Sequence, residues 1–197
     1  MPKENRRTRM TRYLLNDSFW RLLTQKPLGK ITVKEICQAA DVNRSTYYQY
    51  YADPFDQARR QEEELIGEML ACADCDSLRM GEVLPYDRLY PVVKDTLDCI
   101  CANRARFRVL LGDHCGFNLQ VDMIAAYLQK LRPEKDTCSP EWENCLREFI
   151  FLSSGSFAVI YHWLLAGSTT STAEAAEWIT GFVKAGHAGP GPQVFPG

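Results

Sequence analysis

Apolar residues recur at helical spacing along most of the chain, and no stretch of any length alternates with the period of two that a half-buried strand requires. Met10, Leu14, Leu15, Phe19, Leu22 and Leu23 mark a first helix from about residue 8, closed by Pro27-Leu28-Gly29. Its apolar stripe is expected to back the segment that follows. Residues 31–51 read as two short helices joined by a tight turn. Further helices are predicted over 53–76, 86–102, 103–112 and 118–132, the last stopped by Pro133. An eighth spans 139–165, capped by Ser139 with Pro140 in its first turn. A ninth spans 171–184, opened by the capping box Ser171–Glu174. The pattern predicts an all-α chain of about nine helices. A three-helix N-terminal unit (1–52) is followed by a helical body (53–186), and the Gly/Pro-rich tail 187–197 is expected to be disordered.

The two helices of 31–51 (ITVKEICQAADVNRSTYYQYY) carry the most local information. Thr32 is placed to cap the first, with Glu35 three residues on to complete a capping box, flanked by Ile31 and Ile36 as a hydrophobic staple. Asp41-Val42-Asn43 forms the turn, Val42 plugs the angle, and Asn43 is expected to cap the second helix. Over 44–51, Tyr47 and Tyr51 lie four apart and share one face, which suits a core. Arg44, Ser45, Thr46, Tyr48 and Gln49 cover the rest. That surface offers donors and acceptors with little charge, as base edges and phosphates require.

Charge sharpens the picture. Residues 1–60 hold twelve Lys/Arg against six Asp/Glu, a net +6. The remainder holds eleven against nineteen, a net −8, and the whole-chain value of −2 conceals this asymmetry. A basic head on an acidic body suits a module that binds a polyanion, although a solvated basic face would carry the same charge. The basic stretch 2–12 fits either an arm reaching a minor groove or a solvated tail.

Thr32-Val33, Ile36, Ala40-Asp41-Val42, Arg44-Ser45-Thr46, Tyr47, Tyr48, Gln49, Tyr50 and Tyr51 together resemble the helix-turn-helix of TetR-family transcriptional regulators. The resemblance implies DNA contacts from Thr32, Lys34, Asn43, Arg44, Ser45, Thr46, Tyr48, Gln49 and Tyr50, with Tyr48 on a phosphate. One position departs from it: Pro54 stands where the family usually places a phosphate-binding Lys. More loosely, FIFLSSGSFAVIYHWLLAGSTTSTAEAAEWI (149–179) resembles the last two helices of a TetR subgroup, which pair with those of a second chain. That implies a homodimer, with Ser153, Gly155, Ser156, Trp163 and Trp178 as candidate interface residues; packing of the small residues within one chain is the alternative. An effector pocket is expected from Phe107, Leu110, Phe117, Met123, Phe149, Phe157, Tyr161 and His162, whose character suits an apolar or aromatic ligand. The cluster Arg104, Arg106 and Arg108 suits a solvated helix face or an anionic ligand.

At 197 residues the chain holds one or two domains. No secretory leader is read at its charged start, and a cytoplasmic location is expected. The longest uncharged run, Phe149–Ala173, holds an apolar stretch whose length would suit a membrane span, but Ser153, Ser154, Gly155, Ser156 and His162 interrupt it. A helix buried on all sides of a soluble domain is expected, with no membrane partner. Of eight cysteines, Cys72 and Cys75 have the spacing of half a metal or redox site, while Cys99 and Cys101 are too close to share a helical face. No second half-site completes a metal centre, so buried reduced thiols are expected, with a thiol switch as the alternative. His114, His162 and His187 share no motif. No nucleophile elbow or paired carboxylate argues for catalysis, and neither metal nor cofactor is expected.

The resulting expectation is a dimeric regulator, a repressor by the resemblance, that binds a double-stranded DNA operator and takes a small-molecule effector in its body. Control by a protein partner or by cysteine oxidation is the alternative, with a small helical enzyme as the competing class.

Overall fold

The structure is a computed structural model and describes residues 5–73, 84–112, 116, 118–131, 140–165 and 170–187. The protein is all-helical. Among the described residues there are nine α-helices, one 3-10 turn and no strand. The helices are α1 (Arg6–Leu23), α2 (Val33–Ala40), α3 (Arg44–Tyr47), α4 (Pro54–Cys72), α5 (Tyr86–Ala102), α6 (Arg104–Leu111), α7 (Leu119–Leu131), α8 (Pro140–Leu165) and α9 (Thr172–His187). The 3-10 turn, Leu28–Lys30, lies between α1 and α2. The chain divides into two compact units. One is Met1–Ile66 with Ala105–Leu119, and the other is Gly67–Arg104 with Gln120–Gly197. The first unit therefore takes in the early turns of α4 and nearly all of α6, beyond the three helices expected of it.

In the first unit α1 starts where Asn5 caps it, accepting from Arg7 N at 3.2 Å. Most of the basic stretch 2–12 is thus helical rather than an extended arm. The buried stripe is Leu15, Phe19 and Leu23, each four residues from the next, with Ser18 and Trp20 beside it. Met10 and Leu14, expected on this stripe, are exposed instead, because each lies a large turn of the helix away from the 15–19–23 line. Burial of each large side chain on that line contributes roughly 1.5–3 kcal/mol. Side-chain amides tie α1 to α4: Trp20 Nε1 donates to Gln61 Oε1 at 3.0 Å, and Gln57 Nε2 donates to Leu15 O at 3.3 Å and to Asn16 Oδ1 at 3.1 Å.

In the second unit α9 packs against both α5 and α8. The expected capping box opens α9: Ser171 N donates to Glu174 Oε2 at 2.9 Å, and Glu174 N donates to Ser171 Oγ at 3.2 Å. A Cβ on Gly186 would fall 2.6 Å from Leu152 Cδ2, which shows how closely α8 and α9 approach there. Residue 187 belongs to α9 rather than to the tail, with His187 Nδ1 2.6 Å from Glu148 Oε1. Residues 188–197 of the predicted tail lie outside the described residues, as does the predicted cap Ser139.

The expectation that α8 is buried on all sides is overturned. Of its residues 142–165, the one segment among those described that is long and apolar enough to cross a membrane, only Trp163 and Leu164 are buried. Phe151 is 75% exposed, and Ile150, Gly155, Tyr161 and His162 are exposed as well. The large apolar residues of α8 point in several directions, and its neighbours in the chain cover only part of its circumference.

Candidate nucleic-acid interface

The helix-turn-helix is built on the Thr32 capping box. Thr32 N and Oγ1 donate to Glu35 Oε2 at 3.0 and 2.8 Å, while Glu35 N donates to Thr32 Oγ1 at 3.3 Å. Lys26 Nζ donates to Glu35 Oε1 at 2.6 Å. Lys26 first, then Thr32, hold the Glu35 carboxyl at about 2, well below the usual carboxylate range. A group whose folded pKa is depressed adds stability above its unfolded value, near 4.3, and loses it as pH falls towards the folded value. Glu35→Gln should therefore destabilise the protein at neutral pH, with the difference from wild type shrinking between about pH 4.3 and 2. Urea unfolding midpoints across that range test this, and a pH-independent difference would contradict it.

The turn between the two helices depends on Asp41. It ends α2 with φ 53° and ψ 47°, the only non-glycine residue among those described with positive φ. Aspartate tolerates the left-handed region better than most side chains. Val42 N donates back to Cys37 O at 3.0 Å, which closes the helix end. Val42 is half-buried at the turn.

The second helix differs from expectation in two respects. Asn43 makes no side-chain cap, and its carbonyl instead accepts from Thr46 N and Tyr47 N. The α-helix covers only Arg44–Tyr47, after which Gln49 N bonds Thr46 O and Tyr50 N bonds Tyr47 O. These three-residue steps tighten the last turn, a common way to satisfy the carbonyls at a helix end.

The sorting of faces follows the sequence reading. Tyr47 is fully buried and Tyr51 is 3% exposed. Tyr51 Oη donates to Asn16 Oδ1 at 2.8 Å, and the same oxygen accepts from Gln57 Nε2. Asn16 thus ties the segment after α3 to α1 and α4. Burial pushes the Tyr51 hydroxyl up to about 12, partly offset by the bond to Asn16, and burial likewise raises Tyr47. On the other face Thr32, Lys34, Asn43, Arg44, Ser45 and Gln49 are exposed, Tyr48 is 58% exposed, and Thr46 and Tyr50 are half-exposed. A polar groove between the two helices is lined by Lys34, Gln38, Asp41, Asn43 and Arg44. Cys37 sits beneath it, its thiol raised by burial against the opposing influence of Arg44.

At the start of α4, Asp53 Oδ1 accepts from Phe55 N at 2.8 Å and from Asp56 N at 2.9 Å, and Gln57 N bonds Asp53 O. The amides that a helix start can offer to an anion are thus taken by Asp53, and Pro54 supplies none.

Only three of the residues expected to form an effector pocket are brought together. Met123, Phe149 and Phe157 line an apolar cavity of about 170 Å³ inside the second unit, between α5, α7, α8 and α9. Phe107 and Leu110 are buried in the first unit. Tyr161 and His162 are exposed on α8, and Phe117 lies outside the described residues. The polar groups at the cavity are those of Thr96, Tyr127, Ser153 and Ser156, with Thr96 Oγ1 3.4 Å from Tyr127 Oη. Their spacing, with 92 and 96 on α5 and 123, 127 and 131 on α7, was the available signal.

The candidate dimer residues also divide. Gly155 and Trp178 are exposed and Ser153 and Ser156 are half-buried. Trp163 is in the core of the second unit: it is 6% exposed, its Nε1 donates to Thr170 O at 3.2 Å, and Arg104 lies over its ring. The Arg104 guanidinium also donates to Leu164 O at 3.1 Å, while Arg106 lies over Trp20 in the first unit, so these arginines do not act as one cluster. A shallow apolar groove runs beside Gly155 along Phe151, Val159 and Phe182.

No protein-family model matches the chain, and no curated protein matches it.

Proposed function

We propose that this protein is a sequence-specific DNA-binding transcriptional regulator, a repressor of the TetR type. One observation carries the reading. Tyr47 and Tyr51 are locked into the core of the helix-turn-helix, and that leaves Arg44, Ser45, Tyr48 and Gln49 on a single outward face beside Lys34. A short helix anchored in this way presents rigid donors and acceptors, which is what reading base edges in a major groove requires. The +6 charge of residues 1–60 supplies the non-specific attraction to phosphate. With Asp53 and Pro54 at the start of α4, phosphate positioning rests on Tyr48 and Lys34.

Two such heads act together in a homodimer and read half-sites roughly 34–36 Å apart, one turn of the duplex. The exposed apolar residues of α8 and α9 support the dimer. The second unit carries the control input. Its cavity of about 170 Å³ compares with an engineered 150 Å³ cavity that takes up benzene, so the effector is an apolar molecule of about one ring. Such a ligand acts only by binding one conformation of the protein better than another. The reading places the protein in the cytoplasm, with no catalytic role and no cofactor.

Variants of the outward face test the reading. Arg44→Ala and Gln49→Ala are expected to weaken binding to the operator by roughly 1–3 kcal/mol each, with a smaller loss on random DNA. Tyr48→Phe should weaken both to a similar degree, because a phosphate contact carries no sequence information. Fluorescence anisotropy with both duplexes at fixed salt measures this. Equal losses on the two duplexes for all three variants would remove the assignment.

A further inference from the structure

The far end of the recognition segment is tied down by a chain of hydrogen bonds whose polarity starts at a backbone carbonyl, all within the first unit. Leu15 O can only accept, and it takes a bond from Gln57 Nε2 at 3.3 Å. The same nitrogen donates to Asn16 Oδ1 at 3.1 Å. Asn16 Oδ1 is therefore an acceptor, and Tyr51 Oη, 2.8 Å away, donates to it. Turning over the Gln57 amide would set acceptor against acceptor, and turning over Asn16 would set donor against donor. Gln57 is fully buried and Tyr51 is 3% exposed, so neither has solvent to turn to.

We propose that Asn16 is a positioning residue for base reading: it touches no DNA and, through Tyr51, sets the attitude of the face that carries Tyr48 and Gln49. This role rests on the DNA-binding reading. The α-helical part of the segment is only Arg44–Tyr47, too short to hold its own direction, so direction comes from tertiary anchors. Tyr47 anchors by ring packing alone, since its Oη has no hydrogen-bond partner among the described residues. Tyr51 adds a directional bond, and its ring lies 5.7 Å from the Tyr47 ring and 6.4 Å from the Tyr50 ring, centre to centre. Hydrogen bonds to base edges need their donors held within roughly 0.5 Å and 10–20°. Attraction to phosphate needs no such accuracy and carries no sequence information. Loss of the Asn16 bond thus relaxes discrimination and leaves the general attraction in place.

Three variants separate this role from simple packing. Asn16→Leu keeps the bulk of the side chain and removes the acceptor. Tyr51→Phe removes the donor. Asn16→Asp keeps an acceptor oxygen for both Tyr51 and Gln57, and the Arg60 guanidinium, 6.0 Å from the centre of the Tyr51 ring, offsets the added charge.

Affinities of the full-length protein for the operator, obtained by selection from random duplexes, and for a random duplex are measured by fluorescence anisotropy at one salt concentration. Asn16→Leu and Tyr51→Phe should each lower the operator-to-random ratio by roughly tenfold, with random binding unchanged. The double variant should lose no more than either single one, because both remove the same bond. Asn16→Asp should restore the ratio. Hydrogen exchange of the free protein reads the tether without DNA: the peptide covering residues 44–51 should exchange faster in Asn16→Leu and Tyr51→Phe than in the wild type or Asn16→Asp. A ratio unchanged in Asn16→Leu, additive losses in the double variant, or Asn16→Asp behaving as Asn16→Leu does would overturn the role of Asn16 while the DNA-binding reading stands. A wild type that prefers no sequence would remove that reading, and the role of Asn16 with it.

Discussion

Tyr47→Ala is expected to cost about 3–5 kcal/mol, whereas Tyr47→Phe is expected to stabilise the protein by about 1 kcal/mol. The ring is fully buried and sits within 5.7 Å of the Tyr51 ring and 5.6 Å of the Tyr48 ring, centre to centre. Truncation to alanine leaves a cavity under α3 and frees the segment that holds Tyr48 and Gln49. The hydroxyl behaves differently, because Tyr47 Oη is buried with no hydrogen-bond partner among the described residues. An unsatisfied buried hydroxyl costs about 1–3 kcal/mol, so its removal with the ring kept in place should be favourable. Urea unfolding of both variants measures the pair. Marked destabilisation by Tyr47→Phe would mean that the hydroxyl has a partner, such as a buried water. Operator affinity should follow the same order, with Tyr47→Phe binding as wild type does.

Gly155→Trp should convert a dimer into a monomer of 22.5 kDa without lowering the melting temperature. A Cβ built on Gly155 meets no atom within 4 Å, so the monomer has room for a larger side chain there. Replacing a glycine inside a helix also removes an unfavourable helix former, worth roughly 1 kcal/mol. The face around it is apolar and uncovered within the chain, with Phe151 75%, Phe182 63% and Trp178 50% exposed. A second copy presenting the same face would cover these rings, and a bulky residue at 155 would hold the copies apart. Phe182→Glu should have the same effect by placing charge in the seam. Sedimentation equilibrium at micromolar concentration reads the outcome. A monomeric wild type would remove the dimer, and the half-site geometry with it. Association with detergent or vesicles in place of self-association would assign the apolar face of α8 to a membrane.

What the sequence made legible was local. Both capping boxes, Thr32–Glu35 and Ser171–Glu174, form as read, because all their partners lie within three residues and nothing distant competes. The burial of Tyr47 and Tyr51 was equally legible, since positions four apart must share a helical face. The same rule could not say whether Met10 and Leu14 join the stripe of Leu15 and Phe19, because neighbouring positions all look apolar and only the packed partner selects the line. Asn43 shows a limit of a different kind. Its side chain suits a helix cap, yet the backbone carbonyl alone meets the first amides of α3 and the side chain stays in solvent.

Longer-range arrangement was not legible. Trp163 and Trp178 read alike, as aromatic residues in two apolar helices, but Arg104 and the carbonyl of Thr170 hold the first in the core while the second is exposed. Tyr161 and His162 were expected among the residues lining the cavity, and its polar groups come instead from Ser153 and Ser156 of the same helix and from Thr96 and Tyr127 on helices far away in sequence. The near-continuous apolar run of α8 was compatible with burial all round, a membrane span or an intermolecular seam. Composition cannot separate these, because all three demand the same apolar side chains.

The DNA-binding reading is tested most directly by selection of duplexes from a random pool with the purified full-length protein, followed by sequencing of the captured DNA. Enrichment of one inverted repeat is expected, with its two half-sites centred about one helical turn apart and with recovery falling steeply as salt rises. Gln49→Ala should relax the preference within each half-site while leaving their spacing unchanged. Capture of duplexes without any enriched sequence, or no capture at low salt, would contradict a sequence-specific regulator.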